Sequence, residues 1–224
     1  MINKINISAQ PASINFKAVK IAKTQSFIDG IKTEIDIYRL SHKDCPFLNN
    51  LAQTVEPARL MPKDAQKHGF ERWKEIFFYA VENAMRPEYR SYLAVTKNKP
   101  CGLINFKTMN KDTHVECICT WPVKINEKVK FAGKSLFNQV LEYHKKAGSD
   151  KITIEAIVNG HSHPLERYID LGFVPVRNLD HTVAMEMSKK TAEKLQKRFA
   201  GYFTSTPSET GKEINLNKSL NLDF

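Results

Sequence analysis

The stretch "KVKFAGKSLF", residues 128–137, runs lysines, a small residue and a glycine into an apolar helical pattern. Lys128, Val129, Lys130, Phe131, Ala132, Gly133, Lys134 and Ser135 form a turn that ends in a helix start. The first amides of a helix lack intrahelical acceptors and lie at the positive end of its dipole. Such a turn is an anion site suited to a pyrophosphate, and glycine lets a ligand approach the backbone closely. The same residues also fit a plain solvated helix start, so the stretch alone leaves both readings open. Upstream, "THVECICTW" holds His114 and Glu116 two positions apart, on one face of a regular strand. Imidazole and carboxylate are side chains that accept protons in catalysis. Cys117 and Cys119 also share a strand face, and His161 and His163 lie close in sequence. C-x-C with H-x-H is not a recurrent zinc spacing, so no metal is expected.

Around these residues the patterning is that of an α/β protein. "TEIDIYRL" (33–40) alternates as a strand, and Asp44 can cap a helix running through Leu51 and Val55. Residues 68–86 place Phe70, Trp73, Phe77, Ala80, Val81 and Ala84 on one helical face. Two apolar runs flank the turn "KNKPCG" as a hairpin, and 113–121 adds a third strand. Leu136, Phe137, Val140 and Leu141 make a helical stripe that Gly148 ends. "KITIEAIV" (151–158) reads as a strand buried on both faces, with Asn159 at its end. A short helix follows over "PLERYIDL", then the strands "FVPV" and "TVAMEM" and a final amphipathic helix. Residues 1–33 are expected to be an uncommitted arm, 34–187 the domain, 188–203 the C-terminal helix and 204–224 a flexible tail.

The turn at 128–135 and the later segment "VNGHSHPLERYIDLGF" (158–173) together resemble the GNAT family of acetyl-CoA-dependent N-acetyltransferases. In that family a turn Q/R-x-x-G-x-G/A holds the coenzyme A pyrophosphate, and a later helix carries Y-x-x-x-G-F. Here Tyr168 precedes Gly172-Phe173 in that pattern, and Gly133 matches the second glycine. Lys128 replaces the usual Gln or Arg, Phe131 replaces the first glycine, and 122–128 is about three residues longer than the family pattern. Because Phe131 has a Cβ that disfavours positive φ, the turn is expected to differ in shape. Over 34–187 the resemblance implies a mixed, largely antiparallel sheet of about seven strands flanked by about four helices, with a C-terminal helix. It implies acetyl-CoA as cosubstrate and direct transfer of acetyl from thioester to a primary amine. Tyr168 would protonate the departing thiolate. Glu116 or His114 would take the ammonium proton. Cys119 and Thr120 would meet the pantetheine arm through their backbone, with Asn159 hydrogen-bonded to it. Trp73, Phe77 and Phe78 fall on the helix that borders the acceptor.

Composition limits the remaining classes. The chain has 224 residues, 42% hydrophobic and 26% charged, enough for a substantial core. No apolar run reaches the roughly 18 residues of a membrane helix, and no secretory signal is read, so the expected place is the cytoplasm. The net charge of +10 is concentrated in the flanks, with +4 over 1–33 and +3 over 188–224. Basic flanks suggest two rival readings. One is a catalytically weak GNAT-fold module that binds a protein or nucleic acid. The other is an acetyltransferase of aminoacyl-tRNA. The acceptor amine, small molecule or protein, is not readable. A homodimer is compatible with the closing strands, and no membrane partner is expected.

Overall fold

A computed structural model describes residues 18–28, 30–54, 70–120, 129–158, 163–200 and 213–220. In chain order the elements are β1 (Ala18–Ile28), β2 (Ile31–Leu40), a 3-10 turn (His42–Asp44), α1 (Cys45–Thr54) and α2 (Phe70–Ala84). Next come β3 (Arg90–Thr96), β4 (Lys99–Met109), β5 (Asp112–Thr120), α3 (Ala132–Ala147) and β6 (Lys151–Ile157). The chain continues with α4 (Pro164–Leu171), β7 (Val174–Asn178), β8 (Thr182–Ser188) and α5 (Lys189–Ala200). A short return, β9 (Glu213–Ile214) and α6 (Leu216–Ser219), closes it. Among these residues the strands make one nine-stranded sheet in the order β7-β8-β6-β5-β4-β3-β2-β1-β9. All neighbours are antiparallel except β5 and β6, which α3 joins as a crossover.

The sheet begins earlier and ends later than the sequence patterns indicate. Residues 18–28, expected to lie in an uncommitted arm, form a strand paired with β2 along nearly its whole length. Ala18 is buried in the core on the α1–α2 side, and beyond a register shift Ala22, Thr24, Ser26 and Ile28 are buried on the α3 side. Small and hydroxyl side chains occupy most of that face, so the usual alternation of large apolar residues is missing. Within the expected tail, β9 pairs with the start of β1, and Leu216 and Leu220 are buried beside it. This short segment covers an edge that would otherwise be open for pairing.

Two cores sit on opposite faces of the sheet. On one face α3 and α5 pack Leu136, Phe137, Val140, Leu195 and Phe199 against Ile104, Phe106 and Ile154. On the other, α1 and α2 pack Phe47, Leu51, Phe77 and Val81 against Leu93, Leu103 and Cys119. The expected stripe of α2 is borne out at Phe77, Ala80, Val81 and Ala84, all buried. The β3–β4 and β4–β5 hairpins turn through Lys97-Asn98 and Asn110-Lys111, each pair with φ positive at both residues. That is the two-residue turn whose twist suits a hairpin. No helix among the described residues is long and apolar enough to cross a membrane.

Gly102 sets how closely α3 lies on β4. A Cβ there would come 2.9 Å from Leu136 Cδ1, 3.3 Å from Thr120 Cγ2 and 3.4 Å from the Cys119 carbonyl oxygen. Leu136 is fully buried, so it has little room to yield. Gly102→Ala is expected to cost about 1–2 kcal/mol through overpacking. Thermal unfolding should show this as a Tm lowered by roughly 2–8 °C.

Candidate active site

The site is organised by one irregularity in β5. Val115 pairs with Phe106 and Cys117 with Asn105, so Glu116 is the extra residue of a β-bulge. The bulge reverses the phase of the strand. Before it, Thr113 faces α3, where its hydroxyl donates to Ser149 Oγ at 3.0 Å and lies 3.3 Å from His144 Nδ1. After it, the Cys117 thiol donates to the Ile76 carbonyl of α2 at 3.5 Å, and Cys119 joins the α1–α2 core. The ladder between β5 and β6 covers Thr113 to Val115 and stops there. Bulges increase local twist, which turns the rest of β5 away from β6. From Glu116 to Thr120 the β6-side edge of β5 has no paired strand among the described residues. The two parallel strands thus diverge into a wedge whose apex is at Val115.

On the α2 side of the bulge lies a polar cluster. The Glu116 carboxylate accepts hydrogen bonds from Tyr79 Oη at 2.5 Å and Tyr89 Oη at 3.1 Å. Lys107 Nζ lies 2.9 Å from the same carboxylate, donates to Tyr89 Oη at 3.0 Å, and sits 4.7 Å from the Tyr89 ring centroid. His114 Nε2 is 3.7 Å from Glu116 Oε2, and its Nδ1 is 2.9 Å from Thr153 Oγ1. Burial pushes the Glu116 pKa up, but the bonds from Tyr79, Lys107 and Tyr89 outweigh it and hold the carboxyl below its ordinary range. The Tyr89 and Glu116 partners raise the Lys107 pKa and keep its ammonium charged. Burial lowers the His114 pKa, with Glu116 opposing, so the imidazole is neutral at pH 7. The expected shared face of His114 and Glu116 is borne out. Tyr79, Tyr89 and Lys107 were not legible as partners, because they come from a helix, a loop and another strand.

The α3 start lies beside the far end of the wedge. A Cβ placed on Gly133 would be 3.5 Å from Thr120 Cγ2 and 3.8 Å from Ile118 Cδ1. This puts the turn against the last residues of β5. Phe131 is the N-cap of α3 at φ 69°, ψ 6°, in the left-handed region. Phe131 thus takes the positive φ that its Cβ disfavours, so the reason given for expecting a turn of different shape does not hold. For a bulky residue that conformation costs about 1–2 kcal/mol, and β1 supplies contacts that hold it. Ser26 Oγ donates to the Lys130 carbonyl, Thr24 Oγ1 donates to Ser135 Oγ at 3.0 Å, and Ile28 bridges Val129. The helix has no side-chain cap and no acidic residue in its first turn, while Lys130 and Lys134 are exposed beside it. Its leading amides at Ala132, Gly133 and Lys134 are thus suited to an anion.

Tyr168 on α4 borders the same region. Its ring meets Phe173 at 5.8 Å between centroids, and Phe173 meets Phe137 of α3 at 5.8 Å. Burial, with the Cys117 thiol nearby, drives its pKa well up, so the phenol keeps its proton. Burial also pushes the Cys117 thiol to about 12 and raises Cys119 strongly. Neither is a thiolate at neutral pH. Trp73 Nε1 donates to the Thr120 carbonyl at 3.0 Å, tying α2 to the end of β5. His163, the N-cap of α4, is likewise a non-glycine in the left-handed region. Lys128 and Asn159 lie outside the described residues, as do His161 and the segment 121–128.

No family model and no curated protein matches the chain. Solved structures of acetyltransferases do resemble it. Aminoglycoside 6'-acetyltransferase type Ii aligns at 17% identity over 68% of this chain and 96% of its own, with a TM-score of 0.50. FdhC, a nucleotide-linked sugar GNAT, aligns at 12% over 84% of this chain and 97% of its own, with a TM-score of 0.49. The PaiA N-acetyltransferase of Thermoplasma acidophilum, in complex with coenzyme A, aligns at 16% over 69% and 98%, with a TM-score of 0.46. At such identities the likeness is one of fold, and the fold is that of GNAT acetyltransferases. The observed sheet has two more strands than the seven expected, and β1 and β9 account for both.

The cluster gives the site a pH signature. A carboxyl held below its unfolded value of about 4.5 stabilises the fold fully above that pH and loses this contribution as pH falls through the lower folded value. Glu116→Gln should therefore lower Tm near pH 6, and the deficit should shrink as pH drops towards about 3. Thermal unfolding of both proteins across that range checks it.

Proposed function

We propose that the protein is an N-acyltransferase that moves an acetyl group from acetyl-CoA to a primary amine. The observation that carries this reading is the wedge beyond Glu116, which joins an open strand edge to an uncapped basic helix start. An extended pantetheine arm fits the edge of β5 at Cys119 and Thr120 that no described strand pairs, beside the bond from Trp73 Nε1 to the Thr120 carbonyl. The pyrophosphate fits the turn from Val129 to Ser135, with Lys130 and Lys134 supplying charge. Lys128 and Asn159 are assigned to the same cosubstrate by the family pattern. The shared fold with an acetyltransferase is consistent with this assignment.

In this reading the amine approaches from the α2 side of β5. His114, neutral and 3.7 Å from Glu116, takes the ammonium proton. Glu116 is less suited as the base, since three donors hold its carboxylate in the weakly basic form. The amine nitrogen bonds to the thioester carbonyl carbon, and the carbon–sulfur bond breaks. Tyr168 gives its proton to the leaving thiolate, a role its half-buried, protonated phenol suits. The protonated state of Cys117 and Cys119 favours direct transfer over a covalent cysteine intermediate.

Acetyl-CoA should raise Tm. At about 100 times its dissociation constant it adds roughly 2.7 kcal/mol of stability. Tyr168→Phe should keep that shift while acetyl transfer falls about 10²-fold or more. No shift in the wild type at millimolar acetyl-CoA would sink the reading. A Tyr168→Phe protein of undiminished activity would remove the acid role.

A further inference from the structure

The Glu116 cluster already holds a primary ammonium, and that ammonium belongs to the chain itself. Lys107 Nζ contacts the Glu116 carboxylate at 2.9 Å and Tyr89 Oη at 3.0 Å, with the Tyr89 ring face at 4.7 Å. Tyr89 and Tyr79 both donate to the carboxylate, which fixes its two oxygens. A carboxylate, a hydroxyl oxygen and an aromatic face are the three groups that recognise an alkylammonium. All of them cluster at the bulge, on the face from which an acceptor would approach.

Several observations make Lys107 a displaceable occupant. The last β3–β4 pair is Arg90 with Phe106, so Lys107 stands just beyond the end of β3. Its side chain is 24% exposed and that of Glu116 is 17% exposed, so solvent reaches the pair. The ammonium is held by polar contacts that a competing ammonium can reproduce, and a lysine stem is flexible enough to swing out to water. The seat, in contrast, is well anchored. Glu116 sits on the bulge, Tyr79 on α2, and Tyr89 is held by a backbone bond from its N–H to the Arg86 carbonyl.

We infer that Glu116, Tyr79 and Tyr89 form a seat for a primary alkylammonium, and that Lys107 is its tethered resident, displaced when an acceptor binds. The acceptor class follows from the seat. It is a primary amine on an unbranched alkyl chain, either a free alkylamine or a lysine side chain. This deepens the acetyltransferase reading and rests on it for the word acceptor, while the seat itself can be tested without acetyl-CoA.

Replacing Lys107 by alanine removes the equivalent of n-propylammonium. Lys107→Ala should lower Tm by several degrees. n-Propylammonium chloride should then restore most of the loss, while sodium chloride and tetramethylammonium chloride at equal ionic strength do not. The Lys107→Ala, Glu116→Gln double variant should show no such recovery. Equal effects of the three salts, or recovery in the double variant, would overturn the seat. If Lys107→Ala does not fold, the wild type serves through its labelling by an amine-reactive acetyl ester, read by peptide mass spectrometry. Lys107 should label at least tenfold more slowly than the exposed Lys111, and n-butylammonium, which also consumes the ester, should raise the Lys107 rate relative to that of Lys111. Lys107 labelling as fast as Lys111, or a ratio of the two unaffected by n-butylammonium, would contradict displacement. A seat that passes in a protein whose Tm ignores acetyl-CoA would leave an ammonium site and remove the transferase reading, so the two failures are distinct.

Discussion

Between the pairs Phe106–Val115 and Asn105–Cys117, β5 carries one residue that β4 does not match. That surplus residue, Glu116, imposes the local twist that ends the β5–β6 ladder at Val115. Three consequences follow from the same kink. The remainder of β5 separates from β6 and leaves an edge that no strand among the described residues pairs. The buried face of the strand changes sides, sending Cys117 and Cys119 into the α2 core while Val115 stays with α3. Glu116 itself is turned towards α2, where Tyr79, Tyr89 and Lys107 converge on it.

The wedge is bounded by helices that start under strain. Phe131 and His163, N-caps of α3 and α4, both occupy the left-handed region without being glycine. Such conformations persist where surrounding contacts over-determine them, and they concentrate at functional sites. At Phe131 those contacts come from β1. Ser26, Thr24 and Ile28 fasten the turn to the sheet. A strand remote from the wedge in sheet order thus shapes the helix start that points into it.

Much of this was legible in the sequence, and the exceptions have physical causes. The order of elements from β2 to α5 follows from apolar periodicity, because large side chains such as Ile35, Phe77, Leu136 and Ile154 fill two ordinary cores. β1 escaped because Ala22, Thr24 and Ser26 are buried without being strongly apolar. The bulge was invisible because one extra residue leaves no compositional trace. Its partners were equally hidden, since Tyr79, Tyr89, Lys107 and Glu116 are distant in sequence and meet only through the fold. His114 and Glu116 were legible as candidates from residue type and spacing, and Tyr168 from the family resemblance. Their protonation states were not, because those depend on burial and on neighbours supplied by other elements.

The central claim is that the bulge opens the edge of β5 for an extended thioester arm running to the α3 start. Residue-resolved amide hydrogen exchange with and without coenzyme A tests it most directly. The account predicts slowed exchange at residues 116–120 and 132–135, with the amides of β3 unchanged. Unchanged exchange at 116–120, at a coenzyme A concentration that raises Tm, would contradict it and place the ligand elsewhere on the protein.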